Sequence, residues 1–174
     1  MYGLYWTAFR SLLSKEITRF TRIWVQTLVP PAITMTLYFI IFGNLIGSRI
    51  GEMSGFSYME YIVPGLIMMS VITNSFGNVV SSFFGARFGK YIEELLVSPL
   101  PDWLIVMGYM AGGLVRGLSV GLIVTVVAML FTHLTVHSPW VIGAAVLLTS
   151  MVFGLGGFIN AVFAKNFDHI SWFP

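Results

Sequence analysis

Residues 23–48, 61–86 and 117–164 carry no Lys, Arg, Asp or Glu. A helix needs about 20 mostly apolar residues to cross a hydrocarbon core of about 30 Å. The first two stretches hold one crossing each. The third is too long for one and is divided at 132–139. The pattern predicts four transmembrane helices at about 24–43, 61–84, 104–131 and 140–164, and so an all-α membrane protein. Pro30 and Pro31 fall inside the first span, where they are expected to kink it or delay its regular start, and Pro64 falls in the first turn of the second.

Ahead of the spans, Tyr5, Phe9, Leu12, Leu13, Ile17 and Phe20 recur at helical spacing, while Lys15, Arg19 and Arg22 share another face. This predicts an amphipathic helix over 1–22, lying flat in the lipid interface with its apolar side down. Residues 44–59 read as a loop. Residues 87–103 form the longest polar connection, and 132–139 a short uncharged turn. At the end of the sequence, residues 170–174 are apolar and aromatic and read like the opening of another span, so a truncated sequence is expected.

Composition sharpens this picture. Hydrophobic residues make up 57% of the 174 and charged residues 9%, against roughly 25% charged in a soluble domain. One membrane domain over 1–174 accounts for that balance. Basic residues are dispersed and the net charge is +2, which argues against nucleic acid. Without cysteine, disulfides, thiolate metal sites and a Cys nucleophile are excluded. Seven basic residues (Arg10, Lys15, Arg19, Arg22, Arg87, Lys90, Lys165) lie on one side of the predicted spans and Arg49 on the other. This asymmetry predicts a cytoplasmic N-terminus, middle connection and final segment.

Enzyme signatures are missing. There is no GxxxxGK[ST] phosphate loop, HExxH or GxSxG. His133 and His137 are four apart but lie in the external turn with no acidic neighbour, so solvated loop histidines are expected there. His169 is solitary, and no metal site is expected. Glu60 sits at the edge of the second span and no acid lies deeper in any span, which argues against proton-driven transport by this chain alone.

Four features remain. Arg116 lies about 18 Å along a helix beginning near Leu104. It either meets a partner or a water-filled cavity, or snorkels to the headgroups. Gly113, Gly117 and Gly121 recur every four residues and read as a helix-packing stripe. Asn74 and Asn78, with Ser70, Ser81 and Ser82, make a polar stripe on the second span, and Asn160 is similar on the fourth. These side chains either line a path or hydrogen-bond a neighbouring helix, the second being favoured. Finally, residues 87–101 predict a short amphipathic helix. Tyr91 and Leu95, with Ile92 and Leu96, give the apolar face. Glu93 and Glu94 give the charged one, and Ser98-Pro99 ends it. Such a helix can dock in a groove of a soluble partner.

The segments TLVPPAITMTLYFIIFGNLIG, YIVPGLIMMSVITNSF and IEELLVSPLP, in that order behind an amphipathic N-terminal helix, resemble ABC-2 type permeases, the membrane subunits of ATP-binding-cassette exporters. The resemblance covers essentially the whole chain. It implies a six-span fold working as a homodimer in the bacterial inner membrane, among membrane lipids. A separate ATPase subunit would bind the ATP and Mg, with no cofactor on this chain. It also implies docking through the helix after span two, here Arg87, Tyr91, Glu93, Glu94, Leu95, Leu96, Ser98 and Pro99. The chain stops where a fifth span is expected, which puts a complete pathway in doubt. A different reading of the four spans is a non-transporting membrane scaffold or assembly factor; a weaker one is a small secondary transporter.

Overall fold

In the computed structural model, which describes residues 2–53, 55–132 and 138–170, helices account for nearly all of the structure. α1 (Tyr2–Arg22) is followed by α2 (Trp24–Ile40), which runs on through a π-helical segment (Ile41–Ile46) into α3 (Gly47–Ile50). Two short strands, β1 (Glu52–Met53) and β2 (Phe56–Ser57), pair antiparallel. Then come α4 (Tyr58–Phe88), α5 (Tyr91–Val97), α6 (Asp102–Ala128), α7 (Pro139–Phe163) and α8 (Phe167–Ile170). Four helices are long and apolar enough to cross a membrane: Trp24–Gly43, Tyr58–Phe88, Asp102–Ala128 and Pro139–Phe163.

Local chemistry explains the element ends. Ser57 and Glu60 form a reciprocal capping box at the start of α4. The Glu60 amide donates to Ser57 Oγ at 3.3 Å, and the Ser57 amide donates to Glu60 Oε2 at 3.1 Å. Glu60, read from sequence as an edge acid, is therefore a helix cap. Pro139 opens α7, where a missing N–H costs nothing. The prolines of α2 do not delay its start. The helix continues through Pro30 and Pro31, and the break falls earlier, at Ile23 between α1 and α2. Thr27 Oγ1 donates to Phe20 O at 3.1 Å across that break.

α4 is the central helix. Its neighbour α6 returns antiparallel, and small residues let the two approach. A Cβ at Gly113 would fall 2.9 Å from Ser75 O, one at Gly117 3.2 Å from Val71 O, and one at Gly121 2.6 Å from Val71 Cγ2. On the other side of α4 a Cβ at Gly157 of α7 would fall 2.7 Å from Phe76 O, and Ser75 Oγ donates to Ser150 Oγ at 3.1 Å. The buried residues of α7 (Ser150, Gly154, Gly157, Ala161) begin at its middle and run toward its C-terminal end. Beside its first half, an apolar crevice of about 720 Å³ opens, lined by residues including Pro64, Val71, Gly121 and Ile142. Near the β1–β2 hairpin, Met35 and Phe39 of α2 pack with Val63, Val120 and Val124. Near α5, Val79, Ala86, Ile105 and Tyr109 form another cluster.

α1, expected to lie in the lipid interface, has protein as a neighbour too. It packs along α6: a Cβ at Gly108 would lie 2.9 Å from Leu12 Cβ, and one at Gly112 2.5 Å from Glu16 Cβ. The side chains it buries are Leu12, Glu16 and Phe20.

Candidate functional site

The connection between α4 and α6 is built for a sharp turn. Gly89 follows α4, and a Cβ there would meet the Tyr91 ring at 2.6 Å. Lys90 then adopts φ 61°, the left-handed region that side chains other than Gly, Asn or Asp rarely enter. α5 leaves from that residue and ends at Ser98, whose hydroxyl donates to Leu95 O; Pro99 follows.

The faces of α5 are divided differently from the reading by spacing. Ile92 and Leu95 turn toward the bundle, against the cluster of Val79, Ala86, Ile105 and Tyr109. Tyr91, Glu93, Glu94, Leu96 and Val97 face outward, and Val97 is 87% exposed. The outer surface therefore mixes apolar and acidic side chains, and Val97, which the sequence reading passed over, is the most exposed of its apolar members. Leu95 is a fastening residue and contributes little outward area.

Arg87 looks inward. Its guanidinium Nη1 donates to the carbonyls of Ala161, Val162 and Ala164, the free acceptors at the end of α7. A cation at a helix C-terminus also complements the helix dipole. Arg87 thus ties the α4–α5 corner to α7.

The polar stripe splits as well. Asn74 Nδ2 donates to Ser70 O at 3.0 Å, within its own helix. Asn78, fully buried, reaches another helix: Arg19 Nη2 of α1 donates to Asn78 Oδ1 at 2.8 Å and to Asn78 O at 3.2 Å. Asn160 is half-buried near the end of α7, and its carbonyl accepts from the Ala164 amide at 2.8 Å. Gly113, Gly117 and Gly121 meet α4, as described above. His133 and His137 lie outside the described residues, and His169 is exposed on α8. Among the described residues no group of three or more His, Asp or Glu side chains is placed to hold a metal.

The sequence reading missed the most buried charge. Glu16 is 2% exposed. Its Oε1 accepts from Ser82 Oγ of α4 at 2.6 Å, and its Oε2 pairs with Arg19 Nη2 at 3.2 Å. Gly112 of α6 leaves the room this carboxylate occupies. Burying a carboxylate costs several kcal/mol unless it is paired and hydrogen-bonded, and here both oxygens have partners. A signal was available: Glu16 falls four residues from both Leu12 and Phe20, in the middle of the apolar stripe. Arg116 stands nearby on α6, within electrostatic reach of Arg19. Its helix begins at Asp102, so Arg116 is about 21 Å along it.

Three apolar helices around a central fourth, α4, with an N-terminal helix packed alongside and an exposed helix between the second and third spans, make up a multi-pass membrane domain. Over residues 7–174 the chain matches the family model for ABC-2 type transporters. It belongs to that family and is a membrane permease subunit of an ATP-binding-cassette transporter; membership implies an ATP-binding-cassette partner. The chain is 62% identical, over all of its 174 residues, to the inner membrane transport permease YadH of Escherichia coli K12, of which it covers 68%. The permease of that name in Shigella flexneri matches to the same extent. No solved structure matches the chain.

Proposed function

We propose that this chain lines the membrane pathway of an inner-membrane exporter, paired with a second copy, and that α5 docks on a separate ATPase subunit which alone binds ATP and Mg. On this reading the N-terminus, α5 and the segment after α7 face the cytoplasm, and the chain itself does no covalent chemistry. Residues 1–22 act as a membrane-flanking helix, and 87–103 act as the coupling segment of a single ABC-2 domain.

The observation that carries the proposal is the outer surface of α5. Tyr91, Leu96 and Val97 expose large apolar area beside Glu93 and Glu94 on a helix with no buried residue. An apolar ridge edged by acids suits a groove with an apolar floor and a basic rim. The attachment of α5 supports a mechanical role. Lys90 fixes its angle to α4, Ile92 and Leu95 fasten it to the α4–α6 cluster, and Arg87 links the same corner to α7. Movement of the ATPase against α5 would pass to α4 and α7 together.

Co-purification of the full chain with the ATPase tests this. Glu93→Lys with Glu94→Lys, and separately Leu96→Ser with Val97→Ser, are expected to abolish association while leaving the chain's own thermal stability unchanged. Undiminished association in both variants overturns the assignment. Labelling of an introduced Cys at position 93 from the external side of intact cells overturns the orientation.

A further inference from the structure

The junction of α1, α4 and α6 holds more hydrogen-bond donors than it can satisfy. Leu12 sits against Gly108 and Glu16 against Gly112, so α1 and α6 advance together four residues at a time. The next step brings Phe20 level with Arg116, with Arg19 one residue before it. Arg19 and Arg116 are therefore brought to the same level of the α1–α6 seam, close enough for their charges to interact. One carboxylate, Glu16, serves the pair, and it is bonded to Arg19 and Ser82.

Arg19 Nε, Arg116 Nε, Asn78 Nδ2 and Tyr109 Oη are all buried without a hydrogen-bond partner among the described residues. All four can donate, and Asn78 and Tyr109 are each at least 99% buried. The charges sum to one excess positive: Arg19 and Arg116 against Glu16. Lys15 and Arg22, the other cations of this part of α1, are exposed and point elsewhere. Burying a donor without a partner forfeits its hydrogen bond to water, so the cluster is short of an acceptor, and of a negative one.

We propose that Arg19 and Arg116 together bind one anionic group, a phosphate or carboxylate carried by an amphiphile, with Tyr109 and Asn78 as neighbouring donors that become satisfied as the site opens to admit it. Guanidinium pairs recognise oxyanions through paired, charge-assisted hydrogen bonds. Arg116 lies in mid-helix, some 21 Å from Asp102 by helical rise, with Phe20 buried alongside. An apolar tail lets an anion reach that depth without carrying the full desolvation cost of a free ion. The site stands whether or not α5 carries the ATPase.

The test uses the full chain purified in an uncharged maltoside detergent. Dodecyl phosphate is titrated against wild type, Arg116→Gln, Arg116→Lys and Lys165→Gln, and thermal unfolding is followed by tryptophan fluorescence. Wild type is expected to show a saturable rise in Tm. Arg116→Gln should bind about tenfold more weakly or worse, Arg116→Lys should fall between, and Lys165→Gln, which removes the same charge elsewhere, should match wild type. Dodecanol should have no saturable effect. Parallel titrations with inorganic phosphate and with phosphatidylglycerol distinguish the source. Saturation by phosphatidylglycerol at the same Arg116-dependent site marks a membrane lipid, and competition by inorganic phosphate marks a free anion. A response restricted to the single-chain phosphate marks a transported amphiphile. Equal shifts in wild type and Arg116→Gln, or equal action of dodecanol, overturn the proposal.

Discussion

α6 buries two glycine-lined faces, and they do opposite things. Gly113, Gly117 and Gly121 press against Val71, Ser75 and Val79 of α4, and that seam contains no charge. Gly108 and Gly112 press against α1, and the space beside Gly112 is filled by a carboxylate with an arginine attached. The missing side chain is the same device in both places. On the α4 face it brings backbones close enough for dispersion contacts to hold helices together in lipid. On the α1 face it makes room for a buried carboxylate paired with a half-buried arginine, which adds little net stability and leaves unmet donors around it. One seam holds the helices together, while the other holds charge at a depth where charge is expensive.

That contrast can be broken from either side. Glu16→Ala should have the largest effect, because it leaves Arg19 and Ser82 unpaired. A loss of about 3–5 kcal/mol is expected, read as collapse of the Tm in detergent, with Glu16→Gln distinctly milder. If Glu16→Ala leaves the Tm within a degree of wild type, the junction is open to water and its charges are solvated. Next comes Gly117→Val on the opposite face, which drives a branched side chain into Ser75 and Val71 of α4. It should cost about 1–3 kcal/mol and show as increased protease sensitivity. Arg87→Gln should cost about 1 kcal/mol by releasing the carbonyls at the end of α7, seen as faster amide exchange confined to the last turn of that helix. Smallest is Tyr109→Phe. Its hydroxyl is buried without a partner, so removing it should be neutral or raise stability by up to about 1 kcal/mol. A marked loss of stability would show that the hydroxyl has an acceptor after all.

Much of the framework was legible in the chain because the quantity that sets it is local. Whether a stretch can cross a bilayer depends on its summed apolarity and length, and both are read from consecutive residues. The packing use of Gly113, Gly117 and Gly121 was likewise written in their spacing. The ends of helices were less legible. Glu60 looked like an acid at a membrane edge until Ser57 was seen to share its cap, and Pro30 and Pro31 looked like the place where the first span would bend while the break lies at Ile23.

The sequence alone settled that this is a four-crossing helical membrane protein with an exposed polar helix between its second and third spans, and the resemblance of its motifs placed it among ABC-2 permeases. Tertiary structure decided which way individual side chains of that helix point, sending Leu95 inward and Val97 outward. It also decided that Glu16, an acid in a helix outside the spans, would be buried against Gly112 and Ser82. The reason is physical. Apolarity adds up along a segment, but the cost of a charge depends on what stands opposite it, and residues 16, 82 and 112 become neighbours only when three helices pack.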